Sequence, residues 1–468
     1  MFAPPDKTTE FCWRDHALAT QLRASRRSGP IFAPCPCRRW QYVRSMSTGT
    51  SLSVDEFQAE ARGFLDANAT LKQAAGPFVW GHGSDKVAMF EERDRDTEGA
   101  LLKQASAWRA KRFDAGLGWI TGPVEHGGRG LTAAHQRAYD SLEGKYEIPN
   151  QSFFVIGLGM VAPTILAHGS ETAKQRYLTA MYRGDTVACQ LFSEPGAGSD
   201  LASLQTKAER DGDEWVITGQ KVWTSGAHFS SIGEIIARTD ANLPKHRGLT
   251  GFIVDMHAPG VEIRPLRQMT GGANFNEVFF NEVRVPDDHR LGELNEGWRV
   301  ALTTLMNERA AIGAGGGGGN SVGLLSRTIE MVKAFGLNDD PVIRQELADL
   351  VVRFRVQQYT NQRSMDRIRS GQLPGPEMSI AKLAGSINLG KLCAFVAHLL
   401  GPKLIADTGE WGTYAWSQMV LGHPGARIAG GSDEIMRNIV GERVLGLQKD
   451  TGIDTTSPFK DLKVGTQR

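Results

Sequence analysis

Apolar residues recur at helical spacing in two long stretches of the chain and at alternating spacing in the stretch between them. In residues 49–186, SVDEFQAEARGFLDANA opens on Ser53 with Glu56 three residues on, the spacing of a capping box. Phe57, Ala61, Phe64 and Leu65 then share one helical face. GALLKQASAWRAKRFDAGL and SETAKQRYLTAMYRG are further amphipathic stretches, and GWITGPVEHGGRGLTAA between them reads as a glycine-rich loop. Residues 187–292 change period. DEWVITGQKVWTSG reads as strand, tight turn, strand; IGEIIARTD, LTGFIVDM and NEVFFNEVRVP read as short β runs parted by Gly, Pro, Asn and Asp. Residues 293–450 return to the helical period in GWRVALTTLMNERAAIG, PVIRQELADLVVRFRVQQYTNQRSMDRIRSG, PEMSIAKLAGSINLGKLCAFVAHLLG and a segment starting at Ser432. Four long helices make a bundle. The pattern predicts an α+β fold: an N-terminal helical domain, a middle antiparallel β-barrel or sandwich domain, and a C-terminal four-helix bundle. Residues 1–48 are expected to be a disordered extension and 451–468 a tail.

The length of 468 residues suits two or three modules forming one enzyme. Lys and Arg number 53 against 52 Asp and Glu, so no basic field invites nucleic acid. No apolar run approaches the roughly 18 uncharged residues of a membrane span. Neither GxGxxG after a strand nor GxxxxGK[ST] occurs, which removes the two commonest nucleotide folds. Five cysteines, an odd and sparse set, point to a reducing compartment. Cys35 and Cys37 have no second Cys/His pair nearby, and no metal is expected. The first 45 residues carry eight Lys/Arg and only Asp6, Glu10 and Asp15 as acids. They read as a transit peptide to the mitochondrial matrix, or as an over-long start preceding a true N-terminus at Met46 in a bacterial cytoplasmic protein. The three acids favour the second reading.

The most informative stretch is CQLFSEPGAGSDLASLQTKAERDGDEWVITGQKVWTSGA, residues 189–227. EPGAGSD is a glycine-rich loop whose backbone can approach a ligand closely and turn N–H groups towards it. Ser193 and Ser199 add hydroxyls. Trp223 ends a strand beside Thr224 and Ser225, where an indole can cover a flat ring and a hydroxyl can bond a ring nitrogen. A surface hairpin with a core tryptophan would produce the same letters.

Taken together, these residues resemble the flavin-binding middle domain of the acyl-CoA dehydrogenase family. RNIVGERVLGL near the C-terminus looks like its bacterial members, and the resemblance spans residues 52–448. It implies FAD as cofactor and α,β-dehydrogenation of an acyl-CoA thioester. A carboxylate removes the α proton, flavin N5 takes the β hydride, and an electron-transfer flavoprotein accepts the electrons. It further implies a homo- or hetero-oligomer, a dimer or tetramer, of the kind that serves fatty acid β-oxidation. Gln190, Phe192, Ser193, Gly198 and Ser199 would hold the pyrimidine side of the ring, with Ser199 also bordering the acyl-CoA channel. Trp223, Thr224 and Ser225 would cover the ring near N5. Ser432 and Glu434 fall where the family contacts FAD after a glycine turn.

In many members the base stands at the position of Gly430, where a glycine can offer no carboxylate. A second group keeps it on the first helix of the bundle, in a Glu-Arg pattern that Glu308 and Arg309 match in TLMNERAAIG. What matters is hydrogen-bond reach, not place in the chain. Gly430 keeps the backbone N–H that, by resemblance, bonds the thioester oxygen, and Gly431 lines the same substrate contact. On its own, Glu308 also reads as a solvated helix glutamate. Asp433 and Glu434 suit a helix N-terminus, so their first role reads as structural.

The chain departs from the family in three places. Five glycines, 315–319, follow the base helix, either as a close-packed insertion or as room for a bulky acyl group. The family's Arg-x-x-Phe-Gly motif, which reaches a neighbouring subunit's FAD, keeps Phe335 and Gly336 but has Met331, Val332 and Lys333 before them, with Gln345 matching a downstream glutamine. The glycine-rich FAD segment before the last helices is replaced by LLGPKLIADTGEWGTYAW, in which Gly401 is the surviving match. Two rival functions follow: a flavin oxidase that uses oxygen directly, and a non-catalytic subunit of a hetero-oligomer.

Overall fold

A computed structural model describes residues 52–73, 76, 78–311, 321–370, 375–449 and 454–463, except the side chains of 309–311, 321, 322, 368 and 369. The expectations for residues 1–48, Cys35, Cys37, Met46 and the glycine run 315–319 lie outside these residues.

The chain begins with α1 (Val54–Asn68), and its start is the capping box read from the sequence. Ser53 N–H donates to Glu56 Oε2 at 2.9 Å and Glu56 N–H to Ser53 Oγ at 3.2 Å. Phe57, Ala61 and Leu65 are fully buried, whereas Phe64 is half-buried. A short strand β1 (Thr70–Leu71) later pairs with β2 (Tyr146–Glu147). Between them come α2 (Arg95–Asp114) and α3 (Ala133–Glu143). A π-turn at Gly157–Val161 leads into α4 (Ala162–His168), followed by α5 (Glu171–Arg183). Gly184, at φ 89°, ends α5 in the left-handed conformation that glycine tolerates.

The middle domain comprises β3 (Ala188–Leu191), β4 (Lys207–Asp211), β5 (Glu214–Ser225), β6 (Ile232–Arg238), β7 (Leu249–Asp255), β8 (Val261–Leu266), β9 (Phe275–Pro286) and β10 (Arg290–Leu291). The sheet runs β10-β7-β6-β4-β5-β9-β8, with β3 parallel to β6 and most other pairs antiparallel. The strand–turn–strand reading of 213–226 is corrected: β5 is one twelve-residue strand. Gly219 does not turn the chain but sits at a register shift, where an added Cβ would come 2.4 Å from Thr206 Oγ1. The hairpin turn is at Gly212, φ 64°, between β4 and β5.

All seven residues of β6 are buried, because the strand is covered on both faces. Ile235 and Ala237 face the barrel interior with Leu191, Ile217, Phe252, Val254 and Phe280. Ile232 and Ile236 face the helices, packing with Ile165, Val300 and Ala301.

The C-terminal region holds α6 (Gly297–Ala311), α7 (Ser321–Ala334), α8 (Pro341–Arg369), α9 (Met378–Leu400), α10 (Ser417–Ala426) and α11 (Asp433–Ile439). The segment from Ser432 is therefore not the long fourth helix expected. It is a seven-residue helix that widens into a π-turn, Val440–Val444, with Gly441 inside it and Gly446 at φ 72° beyond. One stretch, Met378–Leu404, is long and apolar enough to cross a membrane, with mean hydropathy 1.5. It carries Lys382 and Lys391 and buries Leu392, Phe395 and Val396 among its neighbours, as a bundle-core helix does.

The periodicity also missed a strap. Residues 78–89 run across the bundle: Trp411 Nε1 donates to the Gly83 carbonyl at 2.9 Å, Gly412 N–H to Asp85 Oδ2 at 2.8 Å and Val87 N–H to the Ala415 carbonyl at 2.8 Å. Trp80 meets Phe335 and Trp411 edge-on, with centroids 5.4 and 4.7 Å away.

Candidate active site

The glycine-rich loop after β3 is held by a buried ion pair. Lys221 Nζ, fully buried, donates to the Phe192 carbonyl at 3.0 Å and to Glu194 Oε1 at 2.9 Å. The Glu194 carboxylate also accepts from the Gln205 and Thr206 N–H groups at 2.6 and 2.9 Å. Burial pushes the Glu194 carboxyl up, but Lys221 and these donors outweigh it and hold it below its ordinary range. Arg238 anchors the far side through the Ala202 and Leu204 carbonyls at 2.7 and 3.2 Å, and Lys245 Nζ bonds Asp200 Oδ1 at 2.7 Å. Gly198 and Ser199 remain exposed between these anchors, and a Cβ on Gly198 would meet nothing within 4 Å.

The end of β5 is joined to this loop by Val222 N–H, which donates to the Ser193 carbonyl at 2.8 Å. Gln190, Phe192, Ser193, Trp223, Thr224 and Ser225 are thus brought together, with the Phe192 side chain in the core. Trp223 has φ 62° at a register shift and is 57% exposed, with Phe275 edge-on at 5.8 Å. A bulky residue in that conformation is strained, and strain of this kind gathers at ligand sites. Beside it the buried Thr224 Oγ1 and Asn276 Oδ1 lack hydrogen-bond partners. An exposed indole, orphaned polar atoms and an open glycine loop fit a flat ring with polar edges such as isoalloxazine.

The remaining candidate residues lie on separate elements of the bundle. Glu308, half-buried, is on α6, and α6 and α11 both pack on α9. The turn before α11 has Gly430 at φ 67° and Gly431 at φ 87°; a Cβ on Gly431 would come 2.5 Å from Met436 Cε. Asp433 fastens this turn. It is 1% exposed and accepts from Ser386 Oγ at 2.6 Å, Lys382 Nζ at 3.2 Å and Arg427 Nε at 2.8 Å. Burial raises its carboxyl, and these donors together bring it below its ordinary range. The structural role expected of Asp433 is realised through α9 as well as at the start of its own helix. Asp433→Ala is expected to cost about 3 kcal/mol by stranding buried donors, read from denaturant midpoints, and to lower kcat more than flavin content.

Ser432 caps α11 through the Ile435 N–H at 3.3 Å, and Glu434 is exposed and paired with Arg437 at 3.3 Å. Gln345 is exposed on the first turns of α8, and Gly401, at φ 49°, ends α9. His398 lies 3.5 Å from Glu346, which places Gln345 and Gly401 at one end of the α8–α9 pair. Asp433 binds α9 at Ser386, about 22 Å of helix away. Within one chain these four residues therefore do not converge. The Arg309 side chain lies outside the described residues.

The family model for the acyl-CoA dehydrogenase N-terminal domain matches residues 83–185, that for the middle domain 189–283 and that for the C-terminal domain 295–445. Acyl-CoA dehydrogenase IpdE1 of Mycobacterium tuberculosis is 37% identical over 85% of this chain and 98% of its own length. The chain belongs to the acyl-CoA dehydrogenase family. Among solved structures of the family, the Tcur3481-Tcur3483 steroid ACAD is 25% identical with TM-score 0.65, covering 86% of this chain and 100% of that one. The ChsE4-ChsE5 complex from Mycobacterium tuberculosis is 25% identical with TM-score 0.62, again covering 86% and 100%. Family membership makes the protein an oxidoreductase with FAD as its cofactor, and the helical, β and helical domains are those of acyl-CoA dehydrogenases.

Sequence reading missed Lys221, Asp433's partners and Glu234, a fully buried acid in β6. The signal was present for two of them. Lys221 continues the inward register of Trp215 and Ile217 along β5, and Glu234 is the one acid in the apolar run IGEIIA. A charge at a core position implies a specific partner.

Proposed function

We propose that the protein dehydrogenates an acyl-CoA thioester to its trans-2-enoyl-CoA, with Glu308 as the base. The observation that carries this reading is that the Glu308 helix and α11, which follows the left-handed Gly430–Gly431 turn, both pack on α9. The Gly430 N–H bonds the thioester oxygen and acidifies the α carbon. Glu308 takes the α proton, and Arg309, Gly431 and Ser199 line the channel. FAD, when bound, would supply the acceptor for the hydride of the β carbon. Trp223, Thr224 and Ser225 would cover its ring, while Gln190, Phe192, Ser193, Gly198 and Ser199 would hold the pyrimidine edge.

Ser432 and Glu434 serve the FAD of their own subunit. Gln345 and Gly401, at the other end of α9, serve that of a neighbour, so the working form is an oligomer. The ChsE4-ChsE5 complex among the structural relatives supports a hetero-oligomer, and the Tcur3481-Tcur3483 steroid ACAD supports a bulky, ring-bearing acyl group over a straight chain. Electrons pass to an electron-transfer flavoprotein in the bacterial cytoplasm, a placement supported by the bacterial relative.

The test is product analysis under air with an artificial acceptor. Loss of two hydrogens from acyl-CoA without stoichiometric peroxide is expected. Peroxide formed at the rate of substrate loss would instead mark the oxidase.

A further inference from the structure

Glu234 sits where the three domains meet. It lies on β6, fully buried, on the face that Ile232 and Ile236 share with Val300 and Ala301 of α6. Its register partner on the parallel strand β3 is Gln190, so both side chains leave the sheet on that face. Its Oε1 lies 2.5 Å from the Thr304 hydroxyl of α6, which is in turn 2.9 Å from the Thr164 hydroxyl of α4 and 3.3 Å from the Val300 carbonyl. Thr164 donates to the Met160 carbonyl at 2.9 Å. Oε2 has no partner. Thr304 precedes Glu308 by one helical turn on the same face.

We propose that Glu234, in its neutral form, is a positioning residue that pins α6, and with it Glu308, to β6, the strand paired with the one that leads into the flavin loop. This rests on the base assignment made above. As an acid, Glu234 donates its proton to Thr304 Oγ, leaving the threonine hydroxyl to donate to the Val300 carbonyl or to Thr164. The unpartnered Oε2 is then only a carbonyl oxygen, a tolerable loss. As a carboxylate it is a buried charge with one donor, and the seam opens.

Among the described residues no cation approaches it. β3 sets Gln190 beside it, β7 sets Ile253 and α4 sets Thr164. The titratable and charged groups of α4 and α6 are His168, bonded to Thr303, and Arg299, Glu308 and Arg309. Burial, only partly offset by the Thr304 hydroxyl, pushes the carboxyl from 4.5 up to about 8. A raised carboxyl contributes stability that is complete below the unfolded value, near 4.5, and is lost as pH rises through the folded value near 8.

The test compares wild type, Glu234→Gln and Thr304→Val as flavin-loaded full-length proteins across pH 6 to 9.5. Two readouts are taken: the temperature of flavin release, which needs no substrate, and kcat and KM. Wild-type kcat is expected to fall about tenfold between pH 7 and pH 9, reversibly and at unchanged flavin content, as a group near pH 8 ionises. Glu234→Gln flattens that limb and the alkaline fall in release temperature. Thr304→Val lowers kcat with little change in KM and, by removing the hydroxyl that holds the carboxyl down, moves the alkaline limb to higher pH. Superimposable wild-type and Glu234→Gln curves would overturn the proposal. If no acyl-CoA is turned over, the dehydrogenase reading has failed and the flavin-release curves alone decide on Glu234.

Discussion

Glu308→Gln is expected to lose about 10²–10⁴ in kcat, the span of a positioned general base, while retaining its flavin and its affinity for acyl-CoA. The substitution keeps shape and hydrogen bonding but removes the proton acceptor. Gly430 offers no side chain, so the turn cannot substitute for it. The acids nearest that turn are already engaged: Asp433 is buried among Ser386, Lys382 and Arg427, and Glu434 is paired with Arg437. Stopped-flow reduction of the flavin checks it, with bound acyl-CoA measured separately by equilibrium titration. Near-normal reduction would remove Glu308 from the mechanism.

Lys221→Met is expected to destabilise the middle domain by about 3–5 kcal/mol, the cost of stranding a buried carboxylate. Glu194, 8% exposed, would keep two backbone donors but lose the cation that hydrogen-bonds it. The loop from Phe192 to Asp200 would lose its attachment to β5, and flavin would be lost with it. Adding Glu194→Gln removes the stranded charge and should recover much of the stability without recovering the flavin. Denaturant midpoints and the flavin-to-protein absorbance ratio separate the two effects. A single variant that is stable and fully loaded would show that the pair does not hold the loop.

The sequence made the periodic elements legible because one local rule governed each. Ser53 and Glu56 cap α1, and Phe57, Ala61 and Leu65 bury its face. Runs such as LTGFIVDM became strands because their apolar residues are covered on both sides. Gly219 misled because a glycine needed for close approach to Thr206 looks, in one dimension, like a glycine that turns the chain. The strap at 78–89 was hidden because its partners, Trp411, Gly412 and Ala415, lie more than three hundred residues away. For the site, Glu308, Trp223 and the Gly430–Gly431 turn stood out by resemblance. The clamps behind them did not, since Lys221, Glu194 and Asp433 acquire their roles only from partners the fold supplies. Gln345 and Gly401 match family positions whose meaning depends on a second subunit, which one chain's pattern cannot contain.

An acyl-CoA thioester is expected to reduce the flavin bound at the Glu308 site. The most direct test is anaerobic addition of acyl-CoAs, from straight chains to ring-bearing side chains, to the purified flavoprotein while its visible spectrum is recorded. Stoichiometric bleaching by a ring-bearing acyl-CoA, with little bleaching by straight chains, is the predicted result. A yellow protein that no acyl-CoA bleaches would contradict it.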